Sequence, residues 1–168
     1  MHLLLLRHAI APQRDPERWP DDRLRPLTPE GRRKMARGAK GIAALEVRPD
    51  LILTSPLIRA SETAKIAAAA FRPRPDVQVL KPLAPGGGSG GVLAGLAALP
   101  ASSTVMLVGH EPDLSQLVGA LVIEPRADLG IEFKKGGLCW IECDGAPHAR
   151  AGRLMMLLTP RVLRQLRR

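Results

Sequence analysis

Four short apolar stretches punctuate the chain: Leu3-Leu4-Leu5-Leu6, Leu51-Ile52-Leu53, Val77-Gln78-Val79-Leu80 and Val105-Met106-Leu107-Val108. The first, second and fourth are continuous, the pattern of strands covered on both faces as in a parallel sheet, although runs this short also fit a buried helix segment. Helical signals lie between them. Thr28-Pro29-Glu30 offers an oxygen-bearing cap, a proline at the first helical position and an acid in the first turn. That helix is predicted to run to about Leu45, with Met35, Ala39, Ile42 and Leu45 turned to the sheet. Gly31, Gly38 and Gly41 weaken it. Ser55-Pro56 is predicted to cap and open a second helix, running to about Ala70. Val92–Leu99 reads as a third, after a flexible, glycine-rich turn at Pro82–Gly91. Pro112 opens a fourth, with Leu114, Leu117, Val118 and Leu121 on one face.

Past Glu124 the alternation changes. Residues 125–136 read as a loop with a short apolar piece at Ile131 and Phe133. Leu138–Glu142 and Arg153–Leu158 read as two strands joined through Asp144-Gly145-Ala146-Pro147, a hairpin. Thr159-Pro160 opens a last helix, predicted from Arg161 to Arg167. No repeat and no interdomain linker interrupts the chain, so one domain is expected over residues 1–168. The pattern predicts an α/β fold: three layers, a mostly parallel central sheet flanked by helices, with a C-terminal β-hairpin and short helix.

Chemistry collects where three of the apolar runs stop. The first ends in Arg7-His8, the second in Thr54-Ser55-Pro56 with Arg59 following, the fourth in Gly109-His110-Glu111-Pro112. In open parallel sheets ligands bind beyond the carboxyl ends of the strands. Taken alone, Arg7 and His8 fit a solvated arginine and a capping imidazole equally well. Two histidines and two arginines at one sheet edge, however, suit a phosphoryl group: guanidinium forks match its oxygens and a neutral imidazole can attack phosphorus. Arg59 falls in the first turn of its predicted helix, where unpaired N–H groups already favour an anion. Glu62, three residues on, is within reach to pair with Arg59 or orient it. Glu111 and Asp113 flank His110 and are candidates to fix its tautomer. Residues 9–27 hold four prolines among charges and form a loop crossing the rim of this site.

The chain resembles the histidine phosphatase superfamily, and within it the small SixA-type phosphohistidine phosphatases of signal transduction. The resemblance rests on Leu6-Arg7-His8-Ala9, on Arg25-Pro26-Leu27-Thr28-Pro29-Glu30-Gly31, on Thr54 through Ala64 and on Val108-Gly109-His110-Glu111-Pro112, in the family's order. It implies a phosphoglycerate mutase-like fold and a metal-independent phosphatase in which His8 is the nucleophile. Arg7, Arg59 and His110 would hold the phosphoryl oxygens, with Arg25 as a further phosphate or substrate contact. Without the resemblance, Arg25 reads as a surface arginine packing against Asp21 or Asp22. Ala9 stands where the family usually has glycine, and a positive φ there would be costly.

Many members of the family place a carboxylate after the third strand as proton donor to an oxygen leaving group. Here Val77 to Thr104 contains no Asp or Glu. An alkoxide needs general-acid help, whereas a phosphoramidate releases an imidazole that needs much less. The absence favours phosphohistidine over a phosphate ester, with Glu111, Asp113 and Asp15 as other carboxylates in reach. The expected partner is a phosphorylated protein of the histidine-containing phosphotransfer type. The alternatives are a small phosphorylated substrate of the same superfamily and a non-catalytic phosphate- or phosphoprotein-binding module.

Composition narrows these readings further. Two Phe, two Trp and no Tyr leave no set of aromatic faces for stacking bases. The net charge is +9, of which Arg150, Arg153, Arg161, Arg164, Arg167 and Arg168 supply six, leaving +3 for residues 1–149. That basic segment reads first as a solvated helix face, and nucleic-acid binding through it is the weaker alternative. No apolar stretch has the length of a membrane span or a signal peptide, so a cytoplasmic protein with no membrane partner is expected. Cys139 and Cys143 without a Cys/His cluster make a poor zinc site, and no Asp/Glu cluster suits Mg²⁺. No cofactor is expected, and the cysteines are read as reduced.

Overall fold

The computed structural model describes residues 1–123 and 130–166. Residues 124–129, which hold the first part of the loop expected over 125–136, and the terminal Arg167 and Arg168 lie outside them. Six strands form one sheet among the described residues: β1 (His2–Arg7), β2 (Leu51–Thr54), β3 (Asp76–Val79), β4 (Thr104–Gly109), β5 (Leu138–Cys143) and β6 (Gly152–Leu158). Their spatial order is β3-β2-β4-β1-β5-β6. The first four in that order run parallel, while β5 and β6 are antiparallel additions beside β1.

The continuous apolar runs are explained by the layers on either side. Leu4, Leu6, Ile52, Met106 and Val108 face one core, built with α1 (Pro29–Ala43), α2 (Ile58–Ala68) and α5 (Pro160–Leu163). Leu3, Leu5, Leu53, Val105 and Leu107 face the other, built with α3 (Gly88–Leu96) and α4 (Asp113–Val122). With a two-residue period, neighbouring positions on a doubly covered strand must both be apolar. Aromatics being scarce, α2 packs through Ala60, Ala64, Ala67 and Ala68, all fully buried, which lets its backbone approach the sheet closely. Cys139 and Cys143 are buried and unbridged. No described helix is long and apolar enough to cross a membrane.

The start of α1 follows the sequence signal: Thr28 Oγ accepts from Gly31 N at 2.9 Å, with Pro29 in the first turn. Gly31 and Gly41 prove to be contact residues. A Cβ on Gly31 would lie 2.1 Å from the Ile10 carbonyl oxygen, and one on Gly41 would lie 1.7 Å from that of Leu163. The glycines that weaken α1 as an isolated helix thus admit the loop after β1 and the backbone of α5.

Three helix boundaries differ from expectation. α2 starts at Ile58, behind an N-cap at Leu57, and Pro56 lies outside it. Ser55 N donates to Val108 O at 2.9 Å, so the sheet holds Ser55 past the end of β2 and delays the helix. α3 starts at Gly88, absorbing glycines expected in a turn; Gly87 is seated against the Pro82 carbonyl, where a Cβ would lie 2.2 Å away. α5 stops at Leu163, a single turn capped by Thr159.

Candidate active site

Because β2, β4 and β1 are neighbours, their carboxyl ends share one edge of the sheet. The register pairs Arg7 with Gly109 and Thr54 with Val108, and His8 N donates to Gly109 O at 3.0 Å. Arg7-His8, Ser55 and His110 therefore emerge side by side. The His8 and His110 rings lie 5.0 Å apart, centroid to centroid, and both are buried, with 6% and 3% exposure. Arg59, on the first turn of α2, is 4% exposed.

The tautomer of His8 is set by its neighbour. Nδ1 lies 2.8 Å from the Ala9 carbonyl oxygen, which can only accept, so Nδ1 carries the proton and Nε2 keeps its lone pair. Burial, supported by the nearby His110, Arg59 and Arg7, pushes the His8 pKa down to about 3, against the opposing hydrogen bond to Ala9. Burial does the same to His110, again to about 3, with Arg59, Arg7 and Arg25 adding to it and Asp22 opposing. Both rings are neutral at pH 7 in this state. Ala9 is not among the residues with positive φ, so it sits there without the strain expected of a glycine replacement. Its N–H donates to Thr63 Oγ1 at 3.0 Å, and that hydroxyl donates onward to Arg59 O at 2.7 Å. Thr63 thus ties the turn after β1 to the first turn of α2.

The arginines are held by fixed acceptors. Arg7 Nη1 donates to Phe133 O at 2.6 Å. Arg59 grips Asp22 twice, Nη1 on the backbone oxygen at 2.9 Å and Nη2 on Oδ2 at 3.0 Å. Arg25 Nε holds the other carboxylate oxygen of Asp22 at 2.7 Å, and Arg25 Nη1 reaches Pro12 O. Asp22 bridges the two guanidinium groups, and the hydrogen bond from Arg25, with the charge of Arg59, keeps its carboxyl below the usual carboxylate range. Arg25 packs against Asp22 as expected, but part-buried rather than on the surface, and its charge adds to the lowering of the His110 and Arg59 pKa values.

Arg7 Nε, Arg59 Nε and His110 Nδ1 are the buried side-chain polar atoms left without a hydrogen-bond partner among the described residues. Such atoms are costly unless something else satisfies them. All three belong to residues within electrostatic range of His8. Two cations and an imidazole with unpartnered nitrogens, close to a neutral ring, have the donor chemistry that an oxyanion requires.

The carboxylates expected to support this set make their hydrogen bonds elsewhere, although the charge of Glu111 reaches Arg7. Glu62 accepts from Leu27 N at 2.8 Å and from Arg32 at 2.6 Å, not from Arg59, because its side chain faces α1. Glu111 accepts from Ser115 Oγ and from Ser115 N at 3.2 Å, and Asp113 accepts from Gly86 N at 3.0 Å. Neither touches His110, whose Nε2 lies 2.8 Å from Ser55 Oγ instead. Asp15 caps its own loop, accepting from Glu17 N and Arg18 N. Ser55, Thr63 and Asp22 were not singled out for these roles in the sequence. Among the described residues no group of three His, Cys, Asp or Glu side chains is placed to hold a metal ion.

The family model of the histidine phosphatase superfamily (branch 1) matches residues 3–84. An uncharacterized protein of Picosynechococcus sp. is 36% identical over 169 residues, covering 97% of this chain and 99% of its own. The solved structure of a proposed phosphohistidine phosphatase SixA from Agrobacterium tumefaciens is similar with a TM-score of 0.76 and 29% identity, covering 95% of this chain and 97% of that one. The protein histidine phosphatase SixA complexed with tungstate shares the fold, with a TM-score of 0.82 at 24% identity over 97% of this chain and 99% of that one.

Proposed function

The chain belongs to the histidine phosphatase superfamily, and from that premise we propose that it hydrolyses phosphohistidine on a protein substrate through a covalent intermediate on His8. The observation that carries the reading is the trio of unpartnered nitrogens, Arg7 Nε, Arg59 Nε and His110 Nδ1, beside a ring whose Nε2 lone pair is available. His8 Nε2 attacks phosphorus, the bond from phosphorus to the substrate imidazole breaks, and that imidazole leaves with a proton from solvent. Water then attacks the phosphorylated His8, the P–Nε2 bond breaks and phosphate departs. Arg7, Arg59 and His110, with Arg25 behind Asp22, stabilise the charge that spreads over the phosphoryl oxygens, with no metal ion required. The absence of any Asp or Glu from Val77 to Thr104 favours a nitrogen leaving group over an alkoxide.

The test is a quenched single turnover with a ³²P-phosphohistidine peptide, beside a panel of sugar and nucleotide phosphates. Wild type should carry an acid-labile, alkali-stable label that His8→Ala lacks, and His8→Ala should lose turnover while keeping its fold. Substantial turnover by His8→Ala removes the nucleophile assignment. Faster hydrolysis of a small ester than of the peptide reassigns the substrate, and binding of the peptide without any turnover makes the protein a phosphoprotein-binding module.

A further inference from the structure

A cavity of about 220 Å³ opens beside the candidate phosphate site, between the turn after β1, α1, α5 and the loop preceding β5. Its walls include Ala9, the neighbour of His8, then Gly31 and Met35, and the cations Lys34, Lys135 and Arg164. No carboxylate lines it. Lys34 is ion-paired to Glu30 on the helix surface. Lys135 is exposed and has no ion-pair partner among the described residues. It is nonetheless close to Arg7, Arg25 and Arg59, whose charges, after partial burial, depress its pKa. Lys135 therefore lines the cavity while its charge is felt from the side of Arg7, Arg25 and Arg59.

Of these cations Lys135 is the one whose charge an anion in the cavity would meet, and such an anion offsets the repulsion from Arg7, Arg25 and Arg59. The volume limits which anion. At roughly 30 Å³ per water molecule, the cavity holds about seven waters. That accommodates an acidic side chain and its hydration, but is below the roughly 300–1,000 Å³ of pockets for larger small molecules. The surrounding surface has the same sign, with Arg32, Arg33, Arg37 and Lys40 exposed along α1.

We propose that this cavity binds a carboxylate of the phosphorylated protein, an Asp or Glu side chain neighbouring the phosphohistidine, with Lys135 as the specificity-determining contact. The proposal rests on the phosphohistidine reading above and adds to it a sequence requirement on the substrate.

The experiment uses two phosphohistidine peptides that differ only in carrying Glu or Gln beside the modified residue. On wild type the Glu peptide should have a KM lower by about two- to fivefold, the range of a half-exposed ion pair, with kcat similar. Lys135→Gln should bring the two KM values together, while Lys135→Arg keeps them apart. Lys65→Gln, an exposed lysine on α2 that does not line the cavity, should also keep them apart. Equal KM values on wild type at normal turnover overturn the subsite and leave the phosphatase reading standing. Hydrolysis of neither peptide overturns both. An equal loss in Lys65→Gln shows diffuse charge attraction and overturns the subsite. So does a DNA duplex that displaces the Glu peptide from wild type but not from Lys135→Gln.

Discussion

Asp22 Oδ2 holds Arg59 Nη2 at 3.0 Å, while its Oδ1 takes Arg25 Nε at 2.7 Å, so one carboxylate sets the distance between two guanidinium forks. It also offsets part of their charge. Asp22→Asn keeps the shape and removes the charge, which separates the two effects. We expect inorganic phosphate to inhibit the variant severalfold more tightly, because Arg59 loses a competing anion. We expect kcat to fall about tenfold, because hydrogen bonds to charged groups of roughly 1.5–3 kcal/mol no longer fix the forks. Inhibition and turnover assays on the same preparations decide this; unchanged values for both remove Asp22 from the site.

The two buried rings make folding stability sensitive to acid. His8 and His110 titrate at about 3 in the folded protein, against 6.5 when exposed. Above pH 6.5 both states are neutral and the rings are silent. Between 6.5 and about 3 the unfolded chain binds protons that the folded protein refuses, so stability falls as pH falls. Each ring contributes a slope of up to about 1.4 kcal/mol per pH unit. Urea unfolding from pH 7 to pH 4 should show a steep loss for wild type. His8→Asn/His110→Asn should flatten it, and an equal slope in both proteins rules the rings out as its cause.

Strand ends were legible in the sequence because a doubly covered strand needs an unbroken apolar run, and the run's end marks the sheet edge. The ends of three such runs are where Arg7, His8, Arg59 and His110 come together. The bonds that hold them were not legible, because they depend on where the chain returns. Asp22 was readable as a partner of Arg25, three positions away, but its grip on Arg59 spans 37 positions. Ser55 looked like a helix cap, and its bond to the sheet at Val108 turned it instead toward His110. Glu62 looked like a partner for Arg59 on helical spacing alone, yet α1 lies on its side of α2 and takes it.

The glycines of α1 should separate by what they touch. Gly31→Ala drives a Cβ to 2.1 Å from the Ile10 carbonyl, forcing the turn after β1 away from α1. A loss of about 2–3 kcal/mol is expected, from displaced packing and the broken Thr28-to-Ile10 contact. Gly38→Ala meets nothing within 4 Å and should gain about 0.5–1 kcal/mol from helix propensity. Urea midpoints at pH 7 measure both, and a destabilised Gly38→Ala contradicts the open space beside it.

Thr63 joins the turn that follows His8 to the helix that carries Arg59, accepting from Ala9 N and donating to Arg59 O. Thr63→Val preserves the shape and removes the hydroxyl. The Ala9 amide is then buried without a partner, a cost of about 1–3 kcal/mol. In a chain of this length that lowers Tm by roughly 2–4 °C per kcal/mol. The same amide steadies the residue whose carbonyl fixes the His8 tautomer, so turnover should fall further than the lost stability explains. Thr63→Ser keeps the hydroxyl and should restore most of the turnover even though it leaves a small gap in the core. If Thr63→Val and Thr63→Ser lose activity equally, packing rather than the hydroxyl is what this residue contributes.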